Sequence, residues 1–172
     1  EDQRTEVANR CNLQMQWGTP GEEGKDLVAV GVRRGQLDPC DLPRPPESLI
    51  HRVVAGNWHR TQLDAVVLVS LYGWANPSAD QIADLEAFLL ELLDFWETRG
   101  HPPMVIGTDL NCEWESLVAS AWFGLRGWAD AVGNEPTCIA ASAQKPTKRD
   151  SLLVSPGIIG RIRNPCIRWG DG

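Results

Sequence analysis

Residues 64–72, DAVVLVSLY, form an almost unbroken apolar run. A strand covered on both faces reads this way, whereas strict alternation marks a strand with one face in water. Beyond Pro77 the period changes. Ile82, Leu85, Leu89, Leu92, Leu93 and Trp96 recur at helical spacing and predict a helix over 78–99. Ser78 and Gln81 fit a capping box at its start, and Gly100 fits the stop. Asp80, Asp84, Glu91 and Asp94 fall away from the apolar stripe and are expected in solvent. The pattern then returns to an apolar run, PPMVIGTD, which predicts a strand over 102–109. Residues 64–109 thus read strand, helix, strand.

The flanking regions are less regular. LVAVGVRR (27–34) is short, apolar and rich in β-branched residues, so a strand is expected there. GQLDPCDLPRPPESL (35–49) carries four prolines within 39–46 and reads as loop. IHRVVAG (50–56) alternates and predicts a strand, with NWHR (57–60) expected to turn the chain. Residues 1–24 show no clean period. Residues 113–132, with Trp114, Trp122 and Trp128, read as irregular helix or loop. SLLVS (151–155) predicts a short strand, IIGRIR (158–163) is ambiguous, and CIRW (166–169) is the last candidate strand. Strands outnumber helices, and one long helix joins two buried strands. The expected class is α/β or α+β with packed sheets, arranged as one domain over 1–172.

Composition narrows the setting. No run approaches the roughly 18 apolar residues of a membrane span, and the chain opens on Glu1 with no secretory signal pattern. A fragment of a longer, intracellular protein (nuclear or cytoplasmic) is the expectation. Five widely spaced cysteines match neither a disulfide framework nor a zinc motif, so no disulfide partner is expected. The net charge of −7 argues against a polyanionic partner. Its distribution alters that: residues 141–172 carry six Lys/Arg against two Asp/Glu. This basic end leaves one region that nucleic acid or another phosphodiester can approach.

The candidate chemistry sits at strand ends. Tyr72 closes one apolar run, Asp109 and Asn111 close another, and Asp150 opens a third beside Lys148 and Arg149. Asp and Asn are also ordinary turn formers. A hard carboxylate with neutral oxygen donors nevertheless suits Mg²⁺ (or Mn²⁺), which keeps several waters and needs only one or two carboxylates plus substrate oxygens. Phosphoryl transfer asks the protein mainly for positioning and charge neutralisation.

LVSLYG, the 78–99 helix and MVIGTDLN stand in the order and separation seen in the endonuclease/exonuclease/phosphatase (DNase I-like) family. WADAVGNEPTC, with Asp130 and Thr137, resembles that family's D…P-T segment, and KRDSLLVS resembles its R-x-D strand start. The chain resembles this family best over 60–155, and among its members the endonuclease domains of non-LTR retrotransposon proteins. The resemblance implies a two-layer β-sandwich with flanking helices and a metal-dependent phosphodiesterase or nuclease activity. It implies that Asp109 holds a metal and the attacking water, Asn111 orients that water or the phosphate, and Tyr72 supports the phosphate. Asp150 would orient a catalytic histidine, and Asn76, Thr137, Lys148 and Arg149 would contact substrate.

The departures are as specific. Met15 stands where the family's early metal-binding Glu would fall if NLQMQWG corresponds. His51, His59 and His101 all precede Asp109, so none occupies the place of the terminal histidine. The sequence therefore predicts weak metal binding and impaired turnover in these 172 residues. Two other readings stay open: a non-catalytic domain of this fold kept for binding or scaffolding, and a phosphatase for small phosphorylated lipids or inositols.

Overall fold

The computed structural model describes residues 3–21, 28–61, 64–133, 137 and 148–161. Its elements, in chain order, are α1 (Gln3–Cys11), β1 (Gln14–Trp17), β2 (Ala29–Val32), β3 (Gln36–Pro39), β4 (Val53–Thr61), β5 (Asp64–Tyr72), α2 (Ala79–Thr98), β6 (Met104–Asp109), α3 (Val118–Leu125), β7 (Ala129–Asp130), β8 (Asp150–Val154) and α4 (Pro156–Ile159). Strands β3-β4-β5-β6-β8-β7 form one sheet in that order, and β1 pairs with β2 in a second, smaller sheet. Among the described residues only β5 and β6 run parallel, joined by α2 as the crossover.

This is a layered α/β fold. One face of the large sheet meets α2 and α3, and the other meets the β1-β2 ribbon. The strand β6 shows how the faces divide, since its residues alternate between buried and half-buried. Met104 and Ile106 point to the helix side, into a core with Leu85, Phe88, Leu89, Leu92, Leu93 and Trp96 of α2. A smaller cluster of Val28, Val30 and Val54, with Leu37, Leu68 and Tyr72 packed on it, joins the two sheets.

Helix α2 begins where the pattern predicts. The Ser78 hydroxyl accepts from Gln81 N at 3.2 Å, and Gln81 Oε1 accepts from Ser78 N at 2.9 Å, completing the capping box. Phe88 joins the buried stripe, and Asp84 is half-buried because Ser48 Oγ donates to it at 2.5 Å. Replacing Ser78 with Ala should cost about 1 kcal/mol of stability, readable as a lower urea midpoint with an unchanged m-value.

Several sequence expectations are corrected. Gln36–Pro39 is a strand, not loop: it pairs antiparallel with β4 at the sheet edge, where Pro39 can sit at the end because an edge has ladder positions needing no donor. NWHR does not turn the chain. Strand β4 continues through it to Thr61, because the apolar run of β5 offers a partner along its length. His59 accordingly lies on a strand, 3.5 Å from Asp38 Oδ2. Gln14–Trp17, within the stretch of no clear period, pairs with β2. Residues 114–130 form a 3-10 turn, α3 and β7, with Trp114, Phe123 and Trp128 in edge-to-face contact inside the core. Glu86 of α2 accepts from Val118 N at 2.8 Å and caps α3. The ambiguous stretch from residue 158 begins inside α4, which ends at Ile159. The candidate strand 166–169 lies outside the described residues. No helix among those described is long and apolar enough to cross a membrane. Cys11, Cys40 and Cys112 are free thiols.

Candidate functional site

The register of the large sheet puts three candidate side chains in one row. Tyr72 pairs with Asp109 across β5 and β6, and Asp109 pairs with Asp150 across β6 and β8. Directly opposed residues share a sheet face. All three therefore stand on the face turned to the β1-β2 ribbon. There they close one end of a cleft of about 420 Å³, walled by Val28–Gly31 and floored by Leu68, Ser70, Gly107 and Leu152.

The row's end is pinned by backbone. Gly73 N donates to the Asp109 carbonyl at 2.7 Å, and Leu110 N donates to the Arg149 carbonyl at 3.1 Å. Leu110 is buried, which anchors the turn after β6. Asn111 follows in the left-handed conformation, with φ 55°. Asn tolerates that region better than most residues, so the turn and the presented carboxamide come from one residue. Arg149 Nη1 donates to Asn111 Oδ1 at 3.2 Å. On the β8 side, Thr137 Oγ1 accepts from both Arg149 N and Asp150 N at 2.9 Å.

Electrostatics single out Asp109. Burial raises its carboxyl pKa above the ordinary value, and the Asp150 charge raises it further; the Asn111 backbone N–H and the Arg149 charge pull it partly back. Its Oδ1 is buried without a hydrogen-bond partner among the described residues. An unpaired buried carboxylate oxygen beside a second carboxylate is a costly arrangement unless a cation or donor joins it. The donor set is hard oxygen, and two carboxylates are enough for a Mg²⁺ that keeps most of its water. Asp109 and Asp150 thus fit a partial shell. Among the described residues, no three or more His, Cys, Asp or Glu are grouped to hold a metal. When bound, such an ion would polarise a phosphoryl oxygen and neutralise charge.

Other candidates lie elsewhere in the network. Lys148 Nζ sits 2.6 Å from Asp130 Oδ2 and 2.9 Å from Glu115 Oε1. Burial pushes the Lys148 ammonium pKa down, but hydrogen bonds and charges from Asp130 and Glu115 more than offset this and leave it raised. Asp130 Oδ1 also accepts from Leu152 N at 3.1 Å and Val132 N at 3.0 Å, tying β7 to β8. Asn76 is exposed in the β5–α2 loop, with φ 60°. The cleft-lining residues include no histidine. His101 is exposed, its ring edge-on to Trp96 at 4.4 Å.

Arg52 was not anticipated. Its guanidinium lies 5.5 Å from the Tyr72 ring centroid and 5.1 Å from that of Trp74. In the sequence its only signal is a cation opening the IHRVVAG strand.

No protein-family model and no curated protein sequence matches the chain. Solved structures do. A mannosyl-6-phosphatase of Bacteroides thetaiotaomicron superposes with TM-score 0.61 at 11% identity, over 88% of this chain and 66% of that one. The human nocturnin catalytic domain gives 0.61 at 13%, over 90% and 65%. An endonuclease/exonuclease/phosphatase family protein of B. thetaiotaomicron gives 0.59 at 12%, over 88% and 64%. The chain has the endonuclease/exonuclease/phosphatase fold. It spans just under two thirds of the length of these three structures. In this fold the row Tyr72, Asp109, Asp150 and the adjoining Asn111 and Arg149 stand together at one end of the sheet, whereas Lys148 turns to Asp130 and Glu115.

Proposed function

We propose that this chain is a phosphodiesterase domain that uses Mg²⁺ or Mn²⁺, of the kind found in retrotransposon endonucleases, acting as one domain on nucleic acid. The observation that supports this best is the row of Tyr72, Asp109 and Asp150 at the cleft's end, with Asp109 Oδ1 left without a partner. Asp109 positions the attacking water and is the carboxylate that would hold the metal ion. Asn111, kept in place by Arg149, presents its amide to a phosphate oxygen. Tyr72 flanks the phosphate on the β5 side. Asp150 keeps the second negative charge beside Asp109. Arg149 neutralises the phosphate, while Thr137 and Lys148 act through others, fixing the backbone of residues 149–150 and the end of β7. Asn76 meets substrate only at the rim.

This set lacks a histidine to move the proton of the attacking water, and loss of a positioned general base costs about 10²–10⁴ in rate. The activity is therefore expected to be slow. A phosphatase reading is favoured by one observation: a structural neighbour of this fold is a mannosyl-6-phosphatase.

The test offers the purified chain supercoiled plasmid, an abasic-site duplex and a sugar phosphomonoester, each with Mg²⁺, Mn²⁺ or EDTA. Slow nicking that requires the metal is expected, with the monoester untouched. Phosphate release from the monoester alone would move the assignment to phosphatase. A folded chain that acts on none of the three would leave the fold in a binding role and end the enzymatic reading.

A further inference from the structure

The row at the cleft's end extends one strand beyond Tyr72. Val53 pairs with Leu71 in the antiparallel β4–β5 ladder, so the preceding Arg52 stands opposite Tyr72. The Tyr72 N–H donates to the Arg52 carbonyl at 2.8 Å, and Arg52 Nη1 donates to the Gly73 carbonyl at 2.6 Å. Across four neighbouring strands the order is then Arg52, Tyr72, Asp109, Asp150, with Arg149 beside the last.

The guanidinium is only partly committed. Arg52 is half-buried between the Tyr72 and Trp74 rings, and its Nη1 donates to a neutral carbonyl. Among the described residues no carboxylate lies within ion-pair distance of it, in contrast to Lys148, which has two. A planar fork with one donor committed keeps the rest for an acceptor. Stacking on two rings holds the plane while leaving its edge open. The two carboxylates of the row repel an approaching phosphate, so an anion there needs cations on its flanks. Arg149 supplies one from β8. The opposite flank, beyond Tyr72, has Arg52.

We propose that Arg52 is a second anion-contacting residue of this site, donating to a non-bridging oxygen of a phosphate group that lies over the Asp109–Asp150 pair and is flanked by Arg149 on the other side. This rests on reading the site as one that takes a phosphate ester, and it makes Arg52 a specificity determinant for the anion. The same residue, gripping both Tyr72 and Gly73, sets the position of the phenol.

Tyr72 is the only tyrosine of the chain. Labelling with 3-fluorotyrosine therefore gives a single ¹⁹F resonance at the site, and binding can be followed without turnover. The probes are inorganic phosphate and dimethyl phosphate, titrated with Mg²⁺ present into the wild type, Arg52→Gln and Arg52→Lys. The wild type should shift saturably. Gln keeps a planar donor for the Gly73 carbonyl but no charge, and should weaken binding about tenfold, the scale of one charge-assisted hydrogen bond. Lys keeps the charge but not the planar fork, and should lose clearly less affinity than Gln. Wild-type affinity in both variants would overturn the proposal. An equal loss in both would also overturn it, because a purely structural clamp does not distinguish charge. No saturable shift in the wild type with either anion would instead remove the phosphate reading of the site itself, and the role of Arg52 with it.

Discussion

Asp109→Asn should abolish most of the cleavage activity and at the same time make the protein more stable at neutral pH. The activity loss is expected at about 10²–10⁴, the range for removing a group that handles the attacking water. The stability gain follows from the raised pKa. Burial and the Asp150 charge make the folded state hold the Asp109 proton more tightly than the unfolded chain does. Between the unfolded and the folded pKa the unfolded state binds fewer protons, so stability falls as pH rises through that window and stays low above it. At neutral pH the wild type carries this penalty in full; the neutral amide does not. The difference in Tm between variant and wild type should therefore be largest at neutral pH. It should shrink as pH falls through the folded pKa and vanish below the ordinary carboxylate range. Thermal melts across pH decide it. A variant less stable than wild type at neutral pH would mean that the Asp109 carboxylate is satisfied in solution, contrary to its orphaned Oδ1.

The second large effect is expected from Gly73→Ala. A Cβ on Gly73 would collide with the Leu110 carbonyl oxygen and lie 2.6 Å from its carbon and 2.8 Å from the Leu110 Cα. All three are backbone atoms, and Leu110 is buried, so no flexible side chain can move aside. Relief requires separating the end of β5 from the turn after β6. That movement breaks the 2.7 Å bond from Gly73 N to the Asp109 carbonyl and parts Tyr72 from Asp109. The cost should be on the order of 3 kcal/mol, which lowers Tm by about 6–12 °C in a chain of this size. Activity should fall by more than the unfolded fraction explains, measured where both proteins remain folded by circular dichroism. Gly124→Ala is the counterpart. It lies inside α3 with nothing within 4 Å of where the new methyl would stand, and should raise stability by about 0.5–1 kcal/mol. A Gly73→Ala protein with wild-type Tm would show that the two strand ends are not held in contact.

The period of the apolar residues was enough to place β5, α2 and β6, since each is long and strongly patterned. Ser78 and Gln81 placed the start of α2 because a capping box is local chemistry. Short or edge elements were not readable in that way. Strand β3 contains a proline and too few residues for a pattern, and exists because β4 offers it a ladder. Strand β4 runs through NWHR because β5 pairs with it, a long-range hydrogen-bonding fact absent from local composition. The segment 114–128 looked irregular because Trp114 and Trp128 fill the core beside α2, with Trp96 and Trp128 ring centroids 5.3 Å apart, while Trp122 stays exposed.

The candidate chemistry divides along the same line. The sequence by itself determined which residue types end the strands: a phenol at Tyr72, a carboxylate and an amide at Asp109 and Asn111, and a carboxylate at Asp150. Alternation and chain order say that these are strand tips, because side-chain direction has period two. Which tips meet depends on register between strands far apart in the chain, and a one-residue slip would turn every side chain to the other face. Tertiary structure alone therefore decided that Tyr72, Asp109 and Asp150 share a row. It also decided that Lys148 is drawn to Asp130 and Glu115 while Arg149 reaches Asn111, although the two are adjacent in sequence. Arg52 is the clearest case. Nothing local marks it, and its place beside Tyr72 follows from the β4–β5 register and the two rings that hold its guanidinium.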